Sequence, residues 1–437
     1  MTDRLPGFST LAVHAGAQPD PTTGARVTPI YQTTSFVFND ADHAASLFGL
    51  QAFGNIYTRI GNPTNAVLEE RVAALEGGTA ALAVASGHAA QVVVLQQLLR
   101  PGDEFIAARK LYGGSINQFN HAFKSFGWNV VWADPDDIES FERAVSPHTK
   151  AIFIESIANP GGSVTDIEAV SAVARKAGVP LIVDNTLATP YLIRPIDHGA
   201  DIVVHSLTKF LGGHGTTLGG AIVDSGRFPW REHAARFPKF NEPDASYHGL
   251  IYTERFGNAA YIARCRSVFQ RTTGAVLAPL SAFLLLQGIE TVALRLERHV
   301  ENGRRVAEFL CADPRVAWVN YAGFADNPYY ALAQKYLDGR AASLLTFGIV
   351  GGLEAGKAFY DALKLFKRLV NMGDAKSLAC HPASTTHRQM SAEQQRMAGV
   401  LPETIRLSIG IEHSADIIED IDQALDKACP SRLQAAE

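Results

Sequence analysis

The stretch HSLTKFLGGHG, residues 205–215, holds the residue types best suited to chemistry. A β-branched run ends at Val204 and delivers Ser206, Thr208 and Lys209 within one turn. Ligands of open α/β sheets sit beyond the carboxyl ends of the strands. Two hydroxyls placed there can hold a phosphate while a neighbouring lysine amine does covalent chemistry. The glycines that follow let another group approach the backbone closely. Alone, S-x-T-K reads equally as a polar loop capping a helix. Asp184 ends the apolar run PLIVD, one strand–helix–strand step before Lys209. A carboxylate in that place binds a metal, caps a helix or pairs with a cation such as a protonated ring nitrogen. In ASGHAA, residues 85–90, Gly87 and His88 would open a helix with free backbone N–H groups. Unpaired donors and the helix dipole make that a natural phosphate site. The imidazole of His88 invites a catalytic role, but the position favours its amide.

These groups need a scaffold, and the hydrophobic pattern supplies one. The runs ALAVA (81–85), EFIAA (104–108), NVVWA (129–133), KAIFIES (150–156), PLIVDN (180–185), DIVVHS (201–206) and GGAIV (219–223) are nearly all apolar. Such runs belong to strands covered on both faces. Helical patterns at 66–75, 87–99 and 166–178 alternate with them, which predicts a mostly parallel α/β sheet. The first sixty residues are rich in turn formers and read as an extended arm with short helices. Residues 228–257 are aromatic and polar, and suggest an inserted or active-site-lining loop. A long helix is expected over 276–311. From about 340 a smaller α+β unit follows, with SLLTFGIV and ETIRLSIG as strands. The domain reading is an arm at 1–63, a large domain at 64–275 and a small domain at 276–437.

Composition bounds the function. The chain has 437 residues, 47% hydrophobic and 19% charged, which is globular and not disordered. With 39 Lys and Arg against 44 Asp and Glu, the net charge is −5. No basic excess exists to neutralise nucleic-acid phosphates. Cys265, Cys311, Cys380 and Cys429 are scattered, with no C-x-x-C pair, so neither a disulfide framework nor a zinc site is expected. His14, His121 and His387 fit no metal constellation. The start MTDRLPGFST shows no secretory signal, and residues 275–286 read as a core helix instead of a membrane span. A cytoplasmic, membrane-free setting is expected.

Taken in order along the chain, PIYQTTSFVF, YTRIGNPT, LEGG, ASG, YGG, ESIANPGG, VDNTLATP, HSLTK and TIRLSIGIE resemble the Cys/Met-metabolism family of enzymes dependent on pyridoxal 5'-phosphate (PLP). The resemblance implies fold type I, the aspartate-aminotransferase-like α/β fold. It also implies that Lys209 bonds to PLP and later moves protons, and that Asp184 pairs with the pyridine nitrogen. Tyr112 would stack on the ring. Gly87, His88, Ser206 and Thr208 would hold the phosphate, and Asn159 would lie by the phenolic oxygen. Arg406, with Ser377, would clamp the substrate carboxylate. Tyr57 and Arg59 resemble the pair that reaches a neighbouring subunit's phosphate, so a homo-oligomer is implied, at least a dimer and as a fuller reading a tetramer. The small-molecule substrates implied are a homoserine ester with sulfide or a thiol. Replacement by cysteine, or elimination alone, belongs to the same chemistry and stays open. Gly114 stands where the methionine-degrading members carry cysteine, which disfavours elimination from methionine. A cofactor-fold protein without catalysis is countered by the complete set Lys209, Asp184, Tyr112 and Arg406.

Overall fold

The computed structural model describes residues 6–429 apart from 386–387, 389–392, 394 and 396–399. Seven strands form the large sheet: β1 (Ala80–Val84), β2 (Glu104–Ala108), β3 (Asn129–Ala133), β4 (Thr149–Glu155), β5 (Leu181–Asp184), β6 (Ile202–Ser206) and β7 (Gly220–Asp224). Their order is β1-β7-β6-β5-β4-β2-β3, and only β7 runs antiparallel to its neighbours. Phe105, Ile106, Ile152, Phe153, Ile182, Val183 and Val203 are wholly buried. That is why these runs carry no alternating polar face. The helices between them end on sequence signals. Ser86 caps Gly87–Leu98 by accepting from the Ala89 amide, and Asp166 caps Ile167–Ala177 from Ala169. Because the strands are parallel, β2, β4, β5 and β6 all deliver their carboxyl ends to one rim.

A second sheet contains β8 (Val316–Asn320), β9 (Leu344–Ile349), β10 (Lys367–Arg368), β11 (Leu378–Cys380) and β12 (Thr404–Ser408), ordered β10-β11-β12-β9-β8. Helices Gly352–Ala362 and Ser414–Ala428 pack on each other beside it. Asp420 joins them to the sheet by accepting from the amides of Lys364, Leu365 and Phe366.

The expected long helix over 276–311 is two helices, Pro279–Glu290 and Val292–Ala312, bent by 59°. The cause is close packing against the loop that follows Lys209. A Cβ on Gly288 would lie 2.1 Å from the Gly212 carbonyl oxygen. Buried Arg295 takes over at the break, donating to the carbonyls of Gly288 (2.6 Å), Phe210 (2.7 Å) and Leu211 (3.1 Å). The break therefore pins the loop that carries the lysine. Among the described residues no single helix is long and apolar enough to cross a membrane.

Residues 228–257 also differ from expectation. They fold into short turns around an aromatic cluster, with Trp230 stacked on Tyr261 at 5.4 Å between centroids. None of them lines the cavity around Lys209 in this chain. Helix Phe8–His14 packs on helix Pro63–Glu76, and Arg71 donates to the Ala15 carbonyl. The intervening arm leaves Val37 and Phe53 exposed at 96% and 86%.

Candidate active site

The rim of the large sheet encloses a cavity of about 210 Å³. β1 leads into Ser86, Gly87 and His88; β2 leads to Tyr112; β4 ends at Glu155 and leads to Asn159; β5 ends at Asp184; β6 leads to Ser206, Thr208 and Lys209. All of these residues line the cavity. Helix Gly87–Leu98 points its N-terminus inward, and its first amides have no intrahelical acceptor. A Cβ on Gly87 would fall 2.8 Å from the Ser206 Cβ, so only glycine lets the two loops meet here. Among the described residues the Ser206 hydroxyl has no protein partner, while Thr208 accepts from the Gly219 amide at 3.1 Å.

The acidic end lies opposite. Asp184 accepts from the Thr186 amide at 3.0 Å and from Gln91 at 3.4 Å. Burial pushes its carboxyl up from the usual range, against those two donors. Tyr112 leaves its ring 5.8 Å from that of His88 between centroids. Gly114 gives the phenol room, since a Cβ there would come within 2.4 Å of the ring. Burial, then the nearby Arg406 guanidinium, lowers the Lys209 amine to about 8. An amine so placed is readily neutral and nucleophilic.

Arg406, on β12, is 5% exposed. It donates to the Asn159 side-chain oxygen and the Asn371 carbonyl, each at 3.2 Å. Among the described residues its buried Nε has no partner. A buried cationic donor left unpaired is costly, and a substrate carboxylate would satisfy it. Lys209 donates to the Asn371 side-chain oxygen.

Most of the sequence-predicted residues thus converge, and two groups do not. Ser377 is fully buried with its hydroxyl donating to Glu412 at 2.9 Å and accepting from the Gly410 amide at 2.9 Å. Cys380, not Ser377, pairs across from Arg406 in the sheet. Asn371 occupies the place expected for a serine partner of the arginine. Tyr57 and Arg59 lie in a separate groove with Thr34 and Val276, away from Lys209 of the same chain. His387 lies outside the described residues. The sequence reading also missed Glu155, Gln91, Thr186 and Asn371. Glu155 carried a usable signal, because it ends an apolar run as Asp184 does.

The donor set fits PLP. Free amides and a hydroxyl stand at one end for the phosphate. An amine lies between for the aldehyde. At the far end the half-buried Asp184 carboxylate could pair with a protonated ring nitrogen, with buried Glu155 beside it.

The sequence profile of the Cys/Met metabolism PLP-dependent enzymes matches residues 9–426. An O-acetyl-L-homoserine sulfhydrylase of Leptospira meyeri is 51% identical, with 95% of this chain and 96% of that protein covered. An O-acetyl-L-homoserine sulfhydrylase of Thermus thermophilus is 50% identical, over 96% and 99%. A crystal structure described as an O-acetylhomoserine (thiol)-lyase of Campylobacter jejuni, carrying a pyridoxyl-lysine phosphate, superposes with a TM-score of 0.93 at 42% identity, covering 96% of this chain and all of that one. With a lysine, an acid and a phosphate cradle converging on one rim, and matches that span nearly its whole length, this chain belongs to the Cys/Met metabolism PLP-dependent enzymes.

Proposed function

We propose that the enzyme exchanges the γ-substituent of O-acetyl-L-homoserine for sulfide, or a small thiol, giving L-homocysteine, or methionine, and acetate. The support is the identity of about half shared with sulfhydrylases over nearly full length, together with the cavity wall. Beyond the polar groups already assigned, the wall is made by Ile157, Leu187, Leu218, Val370 and Met372. That apolar wall is the observation that carries the choice of ester. An acetyl group fits it, whereas a succinyl group would bring a second carboxylate with no further lysine or arginine among the described residues lining the cavity to meet it.

Bound here, PLP supplies an electron sink for negative charge at the substrate Cα. The chain's own residues do the rest. Gly87 and His88 amides with the Ser206 and Thr208 hydroxyls hold the phosphate. Asp184 would keep a proton on the ring nitrogen, with Tyr112 against the ring and Asn159 near its phenolic oxygen. Arg406 grips the substrate carboxylate through the face that now carries its unpaired Nε. Lys209, once released, takes the proton from Cα and then one from Cβ, and returns them after acetate has left Cγ and hydrosulfide has added there. Asn371 holds the lysine amine on the arginine side of the cavity.

A substrate panel tests this reading. Acetyl and succinyl esters are each offered with sulfide and with cysteine, and product is resolved by chromatography. Acetyl ester with sulfide is expected to be turned over fastest. Preference for the succinyl ester or for cysteine would instead indicate an O-succinylhomoserine sulfhydrylase or a cystathionine γ-synthase. Formation of α-keto acid and ammonia without added thiol would indicate a methionine or cystathionine γ-lyase.

The proposed assembly is a homo-oligomer, a dimer at least and a tetramer as the fuller form, in the cytoplasm. Arm residues 1–63 would serve the neighbouring subunit. Tyr57 and Arg59 stand outside their own chain's cavity beside the exposed arm, and Arg is suited to bidentate phosphate binding. Arg59→Ala subunits should therefore retain PLP poorly, and mixing them with Lys209→Ala subunits should restore activity at hybrid sites. Failure to complement after verified subunit exchange would count against a shared site.

A further inference from the structure

Glu155 is 5% exposed and stands at the end of β4, directly across from Asp184 on β5 in the parallel register. Its two oxygens serve two different segments of the rim. Oε1 accepts from the Tyr112 amide at 2.7 Å and Oε2 from the Asn159 amide at 3.1 Å. One segment follows β2 and the other follows β4, and both side chains line the cavity. An ionised carboxylate can accept on both oxygens. A protonated acid accepts more weakly on its hydroxyl oxygen, and an amide must turn its NH2 toward one of the N–H groups. Yet burial, and next the charge of Asp184, push the Glu155 carboxyl well above its usual range. Of the charged groups nearby, His205 favours the ionised form of Asp184. A buried carboxylate beside the half-buried Asp184 is a poor way to tie two loops, because each loses solvation and repels the other. A bound ring that carries a proton changes this balance, since it adds a cation beside the pair.

We propose that Glu155 is a positioning residue for the cofactor: it ties the Tyr112 and Asn159 segments into the shape that receives the ring, and its charge reinforces Asp184 at the ring nitrogen. It acts through Tyr112, Asn159 and Asp184 and is not itself a proton carrier in the reaction. The inference rests on the PLP site described above.

The test compares wild type, Glu155→Gln and Glu155→Asp as apo and PLP-loaded proteins. Three quantities are read: the PLP dissociation constant by fluorescence titration, the visible circular dichroism of bound PLP, and the melting temperature of the apo protein. Glu155→Gln should bind PLP roughly tenfold or more weakly, because small misplacements of positioning groups are costly. Its visible dichroism should fall to less than half. Its apo melting temperature should hold or rise, since the repulsion with Asp184 is gone. Glu155→Asp keeps the charge but is one methylene too short to reach both amides. Its dichroism should fall while its affinity drops less than that of the glutamine variant. A glutamine variant with affinity within about twofold of wild type and unchanged dichroism would overturn the proposal. A loss of affinity accompanied by an equal loss of apo stability would overturn it too, by showing a structural tie alone. Wild-type binding in the same titration separates failure of the cofactor site from failure of this role.

Discussion

Lys209→Ala should leave a folded protein that holds no covalent PLP and turns over homoserine ester at least about 10³-fold more slowly, because one side chain is both anchor and proton carrier. The lysine sits at the rim in a loop pinned by Arg295 to Phe210 and Leu211. Removing its side chain leaves that pinning in place, so the melting temperature of the apo protein should change little. Absorbance of the loaded protein and turnover in the presence of sulfide are the readouts. The environment of the amine adds a pH signature. Burial and Arg406 lower the amine to about 8 from the usual value of 10.5. Only the neutral amine attacks an aldehyde, so capture of added PLP by the apo enzyme should accelerate as pH rises. The midpoint should lie near 8, where an unperturbed lysine would place it about two units higher. A rate independent of pH between 7 and 9 would contradict the desolvated amine.

Arg406→Leu is expected to have the second largest effect. The guanidinium is buried, held by Asn159 and the Asn371 carbonyl, and presents an unpaired Nε. Truncating one partner of a buried charge-assisted pair costs about 2–5 kcal/mol, so kcat/KM for the homoserine ester should fall by about 30-fold or more. The rise should appear mainly in KM, with PLP still bonded to Lys209. Arg406→Lys keeps the charge but loses the planar pair of donors, and should recover only part of the loss. If both variants kept the wild-type KM, the carboxylate would be bound elsewhere.

The large sheet was legible because burial on both faces leaves an unbroken apolar signature. All seven runs became strands, with ends shifted by no more than a few residues. The small sheet was half legible. β9 and β12 are buried throughout, whereas β8 is partly exposed and β10 and β11 span two and three residues. Strands that short leave no period to read. The bend near Thr291 was hidden because both halves carry helical spacing. Its cause lies in a contact with Gly212, far away in sequence. The core of the site was visible through residue types at strand ends. Asn371 was not, because it stands in the loop between β10 and β11 and reaches Lys209 only through the tertiary fold. Ser377, six residues along, offered a hydroxyl in a similar local setting, but its side chain faces Glu412. Tyr57 and Arg59 show the opposite limit. Their residue types suggest anion binding, yet one chain alone does not bring them to the lysine.

The central claim is the bond between the Lys209 amine and PLP. Holoenzyme reduced with borohydride and digested with protease gives the direct measurement by peptide mass spectrometry. The peptide containing Lys209 should carry the added mass of a reduced pyridoxyl phosphate, with fragment ions placing it on that lysine. An unmodified Lys209 in cofactor-saturated protein, or the added mass on any other lysine, would contradict the assignment.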